Sequence, residues 1–298
     1  MAHSHHGPRP GSARALGLAL ALTATYTVVE VVGGALTDSL AVLADAVHML
    51  SDNVAIGLAL FAVWLAGRPA TPERTFGFKR AEVLAALANG VALVALAIWI
   101  FYEAVQRFRD PPDVLAGWML AIALAGITVN VVAGAILHRT RGVSINVEAA
   151  YRHVFADLLG SVGVAAAAVV ILATGWLEAD PVVSVLIGVL VLASSWTILR
   201  DATSILLEAA PRGLDASAVG VRLATAPGVV EVHDLHIWTI TSGFPALSAH
   251  VLVGRGEDCH ARRRELELLL HDEFGIEHTT LQVEHSSEGG LVEMGRFG

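Results

Sequence analysis

Residues 48–52 read His-Met-Leu-Ser-Asp and residues 153–157 read His-Val-Phe-Ala-Asp, each inside a long apolar run. On a helix, residues four apart lie on the same face, one turn apart. An ionised side chain at the centre of a membrane helix costs about 2.5–3.5 kcal/mol, so such residues usually face a partner or a water path. The pairs His48 with Asp52 and His153 with Asp157 therefore predict one shared site, in which two imidazoles and two carboxylates surround a divalent metal such as zinc.

A simpler interpretation is that each polar pair only forms hydrogen bonds between helices. Two identical pairs on two spans favour a bound cation, because both sets of charges need a common partner. Zinc accepts two nitrogen and two oxygen ligands, whereas manganese and magnesium prefer oxygen alone. Imidazole must lose its proton to bind metal, so metal and protons compete. The pattern predicts an antiporter that exchanges Zn²⁺ for H⁺.

Composition predicts a polytopic membrane protein joined to a small soluble domain. The chain has 298 residues, of which 55% are hydrophobic and 16% are charged. Its mean hydropathy is +0.63. Six apolar stretches are long enough to cross a hydrocarbon core of about 30 Å, and lipid requires them to be helical. They cover approximately residues 13–36, 40–66, 82–102, 114–137, 147–173 and 181–199.

The predicted domain organisation follows the change of composition after the sixth stretch. It consists of a disordered His-containing tip (1–12), a six-helix transport domain (13–200), a linker (201–210), a cytoplasmic metal-binding regulatory domain (211–286) and a flexible tail (287–298). In the regulatory domain the patterning predicts helices at 214–226 and 259–274, strands at 229–241, 246–253 and 279–285, and a turn at 242–245. Broken alternation at His233 and Asp234 indicates a bulge. The order αββαβ predicts a ferredoxin-like, metallochaperone-like α+β sandwich.

Several classes of protein are disfavoured by simple counts. The single cysteine, Cys259, allows no internal disulfide and no Cys-rich zinc fold. A formal net charge of -9 argues against nucleic acid as a partner. The N-terminus, with His3, His5 and His6, lacks the features of a signal peptide, and its irregular pattern favours a native tip over a leftover tag.

Basic residues predict the orientation. Lys and Arg collect at the N-terminus, between the second and third spans, between the fourth and fifth, and after the sixth. By the positive-inside rule both termini face the cytoplasm, and the predicted location is the inner (plasma) membrane.

Further polar residues lie within the spans. Asp45 is expected to line an access path or to cap the second helix. Glu30 is expected to belong to a proton path or to pair with an Arg or Lys, and Asn130 to lie on the same access or proton path. Glu82 and Asn89 are expected to lock helices together.

The chain resembles the cation diffusion facilitator family, specifically its bacterial zinc/cadmium/cobalt efflux branch, over about residues 14–286. The resemblance is carried by SLAVLADAVHMLSD (39–52), RTFGFKRAEVLAAL (74–87), NVEAAYRH (146–153), GSVG (160–163) and HDLHIW (233–238). It implies six spans, a cytoplasmic metal-sensing domain, a homodimer in the membrane lipid and metal efflux by proton exchange. It maps the transport site onto His48, Asp52, His153 and Asp157, in the His-containing form typical of zinc-preferring members.

The resemblance also implies regulatory zinc in the soluble domain. His233, His250 and Glu284 match ligand positions on the strands, and His260 is expected to be contributed across the dimer. Some relatives bind a second metal in the loop after the second span through His and Asp, but residues 67–79 contain neither, so that site is expected to be absent.

Three alternatives stay open. An intramembrane metallohydrolase would need an activated water and a general base, often as His-Glu-x-x-His, which the sequence lacks, so no enzyme is expected. A membrane metal sensor would bind without transport. An antiporter with iron, cobalt or cadmium as its main cargo would use the same ligands.

Overall fold

The computed structural model describes residues 10–138 and 145–286. Its first part consists of six long helices, each with a segment apolar and long enough to cross a membrane. They are α1 (Pro10–Thr37), α2 (Leu40–Ala66), α3 (Ala81–Arg109), α4 (Ala116–His138), α5 (Ile145–Thr174) and α6 (Ala179–Leu206). The predicted six spans are confirmed.

The helix ends differ from the prediction where polar residues continue a helix beyond its apolar part. α1 already begins at Pro10, inside the predicted tip, and α3 continues to Arg109. α6 continues to Leu206, so more than half of the predicted linker 201–210 is helical. Hydropathy marks where contact with lipid ends, not where backbone hydrogen bonding ends. The N-terminal histidines at positions 3, 5 and 6, and the predicted tail 287–298, lie outside the described residues.

Short connections make consecutive helices antiparallel. We call the end of the bundle at which the chain leaves α6 the near end, and the opposite end, at which α2 begins, the far end. At the far end the backbone N–H of Leu115, just before α4, donates to the carbonyl oxygen of Thr37 at the end of α1, at 3.0 Å. This bond joins two turns that are distant in sequence.

Small residues allow the helices to pack closely. Ala41, Ala97, Ala123 and Ala168 are buried in one core that draws on α2 to α6. A Cβ at Gly33 of α1 would lie 2.5 Å from the side chain of Ile122 in α4, so this glycine is required by a close approach of two helices. Such close packing stabilises the association of membrane helices, because the hydrophobic effect does not drive helices together within lipid.

The outer faces of the same helices carry large apolar side chains. Val28, Val91, Leu124 and Leu190 are each at least half exposed in the bundle. Soluble monomers rarely expose contiguous apolar surface of this extent, whereas a hydrocarbon environment favours it.

The C-terminal domain confirms the order αββαβ. It contains α7 (Ala216–Ala224), β1 (Val229–Thr241), β2 (Phe244–Val253), α8 (Cys259–Phe274) and β3 (His278–His285). The sheet order is β1-β2-β3, with β1 antiparallel and β3 parallel to β2. The predicted bulge is confirmed by a register shift between His233 and His236, with Asp234 in the left-handed region at φ 50°. The predicted turn is shorter than expected, because Phe244 already pairs with Thr241.

One face of this sheet packs against both helices. Leu223 of α7 and Leu266 and Leu270 of α8 are buried with Leu247 and Val251 of β2. Asp258 caps α8 by accepting bonds from the N–H groups of Ala261 at 3.1 Å and His260 at 2.9 Å. These bonds hold the pKa of the Asp258 carboxyl below its usual range.

Candidate metal centre in the helix bundle

The four predicted ligands face one another between α2 and α5. His153 Nε2 lies 3.3 Å from Asp52 Oδ2 and 3.6 Å from Asp157 Oδ2. His48 Nδ1 lies 3.7 Å from Asp52 Oδ2, and His48 Nε2 lies 4.0 Å from Asp157 Oδ1. The spacing of four residues places two donors of each helix on the face that meets the other helix. The structure thus brings the four side chains into one cluster, in which the ring centroids of His48 and His153 are 6.3 Å apart.

The donor atoms of this tetrad suit a cation. His48 Nδ1, Asp52 Oδ2 and Asp157 Oδ1 are buried and have no hydrogen-bond partner among the described residues. Single ligand atoms of His48, Asp52 and Asp157 all lie within 4.8 Å of one another. Ligands about 2.0–2.2 Å from a tetrahedral zinc lie roughly 3.4 Å apart, close to the separations between the imidazoles and carboxylates. Small side-chain movements would let the four donors hold a divalent cation.

Access to the tetrad differs between the two ends of the bundle. A cavity of about 480 Å³ reaches Asp52 and His153 and is lined by α1, α2, α4 and α5. Its wall includes Leu16 near the start of α1 and Leu137 in the last turn of α4, which belong to the near half. His153 is 45% exposed and Asp52 29%, whereas Asp157 is only 2% exposed. The tetrad is therefore open towards the near end.

A tightly packed layer lies on the far side of the tetrad. Asp45, three residues before His48, is buried, and its Oδ2 lies 3.4 Å from the Ser161 hydroxyl. A Cβ at Gly160 would lie 2.5 Å from Asp45 Oδ1, and a Cβ at Gly126 would lie 2.8 Å from Ser161 Oγ. Asp45 lies inside α2 and does not cap it, so the capping alternative is wrong.

The other intramembrane residues have separate positions. Glu30 is buried beside Tyr26 and Asp45, and the charged groups that act on it include Asp45 and Asp157, both acidic, rather than an Arg or Lys. Asn130 is buried, lines a different, largely apolar cavity of about 560 Å³ between α4 and α5, and has no amide partner among the described residues. Glu30 thus adjoins the far-side layer, whereas Asn130 faces the other cavity.

Asn89 and Glu82 on α3 form different links. Asn89 Oδ1 accepts a bond from the Ser51 hydroxyl of α2 at 3.2 Å, which confirms the predicted helix–helix lock. Glu82 Oε2 instead accepts from the Thr241 hydroxyl at the end of β1, at 2.8 Å. Glu82 therefore connects to the β-hairpin of the C-terminal domain and not to another helix.

The cap of α2 was not predicted from the sequence. Asp180, at the start of α6, is fully buried and accepts bonds from the Ser39 hydroxyl at 2.5 Å and the N–H groups of Leu40 at 2.8 Å and Ala41 at 3.2 Å. The Arg107 guanidinium lies 3.7 Å from the same carboxylate. In the sequence, an Asp directly before Pro181 is typical of the start of its own helix, so no local signal points to α2.

The residues predicted to bind regulatory zinc are only partly brought together. His233 and His250 are paired across β1 and β2, with ring centroids 5.3 Å apart. His250 pairs with Gln282 of β3, and Gln282 donates a hydrogen bond to Glu284. His260 lies exposed in the first turn of α8, where Asp258 bonds its backbone N–H.

Cys259 is a free thiol beside a different histidine. Its Sγ lies 3.6 Å from His285 Nε2, which also lies 2.9 Å from the carbonyl oxygen of Glu257. His285 directly follows the predicted ligand Glu284 in β3, so their side chains point to opposite faces of the sheet. The thiol is therefore separate from His233 and His250.

A six-helix membrane bundle in which imidazole and carboxylate donors meet between two helices, followed by a small α+β domain, defines a class of membrane transporters for divalent cations. Residues 16–207 match the family "Cation efflux transmembrane domain", and residues 211–286 match "Cation efflux protein, cytoplasmic domain". The chain belongs to the cation efflux family, also called the cation diffusion facilitator family, in its zinc/cadmium/cobalt branch. It is a divalent metal cation efflux transporter.

Known relatives align over nearly the whole chain. The "Metal cation efflux system protein CzcD" of Cupriavidus metallidurans is 43% identical over 95% of this chain and 89% of its own length. "Zinc transporter ZitB" of Escherichia coli is 44% identical over 96% of this chain and 93% of its own. The "Cadmium, cobalt and zinc/H(+)-K(+) antiporter" of Bacillus subtilis is 38% identical over 98% of this chain and 96% of its own.

Proposed function

We propose that the protein exports zinc from the cytoplasm in exchange for protons and that His48, Asp52, His153 and Asp157 bind the cargo. The observation that carries this proposal is the convergence of the four side chains, with His153 Nε2 3.3 Å from Asp52 Oδ2 and 3.6 Å from Asp157 Oδ2. Zinc takes such a mixed set readily, and cadmium and cobalt are secondary cargoes of the same site. A relative named as a zinc transporter, 44% identical, supports this cargo.

Proton exchange follows from the ligand chemistry. A zinc ion that arrives at the tetrad must displace any protons held by the imidazoles of His48 and His153. Because an imidazole binds metal only without its proton, a proton gradient that protonates the two histidines can release the metal. The name of the Bacillus subtilis relative, which includes H(+), supports a proton as a counter-ion.

The near end of the bundle is assigned to the cytoplasm of a cell whose inner membrane holds the protein. Arg68, Arg74, Lys79 and Arg80 follow α2 at that end, as the positive-inside rule requires. The cavity that reaches Asp52 and His153 then opens towards cytoplasmic zinc, and the structure represents the loading state.

We propose that the C-terminal domain forms a homodimer and binds regulatory zinc. Support comes from His233 and His250, whose rings lie 5.3 Å apart on the exposed face of the sheet, and from the buried Nδ1 of His233, which has no hydrogen-bond partner among the described residues. Glu284 and, from the second copy, His260 would complete this site. The Glu82–Thr241 bond would join the hairpin that carries the two histidines to α3.

Zinc uptake into proteoliposomes with an imposed pH gradient tests the transport proposal. Wild-type protein should take up zinc only with the gradient, and Asp157→Asn should reduce uptake to the level of protein-free vesicles. Asp113→Asn, at an exposed position outside the helices, is the matched control and should transport normally. Zinc binding without uptake by the wild type would identify a sensor, and unchanged uptake by Asp157→Asn would remove Asp157 from the site. The same assay with cadmium, cobalt, iron and manganese ranks the cargoes.

A further inference from the structure

Four oxygen-bearing side chains form a buried layer next to the metal tetrad. Tyr26 and Glu30 come from α1, Asp45 from α2 and Ser161 from α5, and all are at most 4% exposed. Asp45 precedes His48 by about one turn, and Ser161 follows Asp157 by one turn. Because α2 and α5 run in opposite directions, both displacements lead towards the far end. We call these four residues the oxygen layer.

The contacts within the oxygen layer join the two carboxyl groups. The Ser161 hydroxyl lies 3.4 Å from Asp45 Oδ2, and the Tyr26 hydroxyl donates to the carbonyl oxygen of Ile122 in α4 at 2.8 Å. The buried Glu30 carboxyl follows Tyr26 by one turn of α1, and Asp45 is the charged group that acts on it most strongly. Glu30 Oε2 is buried and has no hydrogen-bond donor among the described residues.

The surroundings of the two carboxyl groups are acidic. The titratable groups that act on Glu30 and Asp45 are Tyr26 from α1 and Asp157 from α5, besides each other, and α4 contributes the uncharged carbonyl of Ile122. Two carboxylates in contact away from water repel each other strongly unless a cation lies between them. The buried Glu30 Oε2, which has no hydrogen-bond partner among the described residues, is therefore an acceptor suited to a cation.

We infer that Glu30 and Asp45 form a separate binding site for the exchanged proton, one helical turn from the metal tetrad towards the far end. The inference deepens the proposed zinc/proton exchange and rests on it. All donors of the layer are oxygens, which suit hard cations and not zinc selectively. Magnesium and calcium require about six or more oxygen ligands, whereas the layer consists of four oxygen-bearing side chains packed closely against Gly126 and Gly160, which favours a proton.

The proton balance of this site is simple. In the metal-free state Glu30 is protonated, and its O–H donates a hydrogen bond to the neighbouring Asp45 carboxylate. The pair then carries a single negative charge. When the doubly positive zinc occupies the tetrad, the proton leaves Glu30 and the carboxylate remains. When zinc departs, a proton from the far side binds Glu30 again. Each cycle thus moves this proton in addition to those displaced from His48 and His153.

The test compares Glu30→Gln and Glu30→Asp with wild-type protein in full-length, detergent-purified form. Calorimetric titration with zinc in buffers of different ionisation enthalpy counts the protons released per zinc. Glu30→Gln should release about one proton fewer than wild type, because the amide holds no exchangeable acid proton. Its zinc affinity should change by less than the ten- to hundredfold loss typical of removing a group that supports a metal ligand.

Transport measurements with the same variants separate the outcomes. In proteoliposomes with a pH-sensitive dye, Glu30→Gln should lose zinc uptake driven by the pH gradient, and Glu30→Asp, which keeps the acid, should retain it. An unchanged proton count and unchanged uptake in Glu30→Gln would overturn the inference. So would a loss of zinc binding, which would make Glu30 a support of the tetrad.

A second arm replaces potassium by choline on both sides of the vesicle membrane. Wild-type uptake should persist. If wild type takes up zinc only with potassium, while Glu30→Gln takes up zinc without potassium, the oxygen layer binds an alkali cation. That result would overturn the proton assignment. Absence of uptake by the wild type itself would instead refute the proposed antiport, while the calorimetric proton count would still test Glu30.

Discussion

Replacing Asp180 by alanine should destabilise the helix bundle more than any other single change at its far end. The Asp180 carboxylate accepts three hydrogen bonds at the start of α2, from Ser39 at 2.5 Å, Leu40 at 2.8 Å and Ala41 at 3.2 Å. Hydrogen bonds to a charged group contribute about 1.5–3 kcal/mol each, and removing one partner of a buried ion pair costs about 3–5 kcal/mol. These contributions overlap, and Arg107 keeps Glu103 at 3.2 Å. We therefore expect a loss of about 3–5 kcal/mol.

Equilibrium unfolding of the detergent-purified variants, followed by tryptophan fluorescence, measures this loss. Asp180→Asn retains one acceptor oxygen and should lose roughly half as much as Asp180→Ala. Asp113→Ala, at an exposed position between α3 and α4, is the matched control and should change stability by less than about 0.5 kcal/mol. If Asp180→Ala has the same free energy of unfolding as the control, the Asp180 cap does not hold α2 to α6. The pair of Asp180 with Arg107 then does not hold α3 to α6 either.

Three further predictions concern the site, the packing beside it and the C-terminal domain. Gly160→Ala should destabilise the bundle by about 1–3 kcal/mol in the same unfolding assay, because its Cβ would lie 2.5 Å from the buried Asp45 Oδ1. Gly163→Ala, whose Cβ meets Val183 at an ordinary 3.5 Å, should be neutral or stabilising, and equal effects of both changes would contradict this reasoning. His48→Asp should raise manganese uptake relative to zinc in proteoliposomes, because a third carboxylate favours harder ions, and an unchanged ratio would count against His48 as a ligand. The pKa of Asp258 is lowered in the folded state, so its charge stabilises α8 fully at pH values above the usual Asp pKa of about 3.9. This contribution is lost as the pH falls through the lower pKa of the folded state. Protection factors for hydrogen exchange at α8 amides of the full chain should fall below about pH 4, and less so in Asp258→Asn, which caps without titrating; identical acid profiles would refute the assignment.

The anchoring of α2 matters for the metal site because this helix carries half of the tetrad. Its far end is held by Asp180 of α6, and a Cβ at Gly34 of α1 would lie 2.9 Å from the side chain of Leu43. Its near half borders the cavity through Asp52. An opening of the far side that separated α2 from α6 would have to break the three hydrogen bonds that the fully buried Asp180 carboxylate accepts at the start of α2. We therefore expect α2 and α6 to move together during transport. A disulfide between cysteines introduced at the far ends of the two helices should then leave zinc uptake intact. Loss of uptake on cross-linking would contradict this expectation.

The tetrad could be predicted because its geometry is a local property of two helices. Spacing by four residues fixes which side chains share a face, and the cost of ionised groups in lipid makes a common partner necessary. The same reasoning predicted β1 with its bulge, since alternation and its interruption at His233 are visible within a single strand. The helix ends were less accurate, because α3 and α6 continue through polar residues to Arg109 and Leu206.

The partners of the remaining buried polar residues could not be predicted, because each choice depends on residues distant in sequence. Asp180 bonds Leu40 across 140 positions, and Ser161 bonds Asp45 across 116. A carboxylate within an apolar run shows that some partner must exist, but its identity depends on which helices become neighbours. Glu30 illustrates the difference: its sequence position is equally compatible with an Arg or Lys partner, whereas in the folded bundle it meets Asp45, a second acid. That acidic neighbour disfavours the alternative of a structural ion pair and leaves the predicted proton path, which the Glu30→Gln experiment tests.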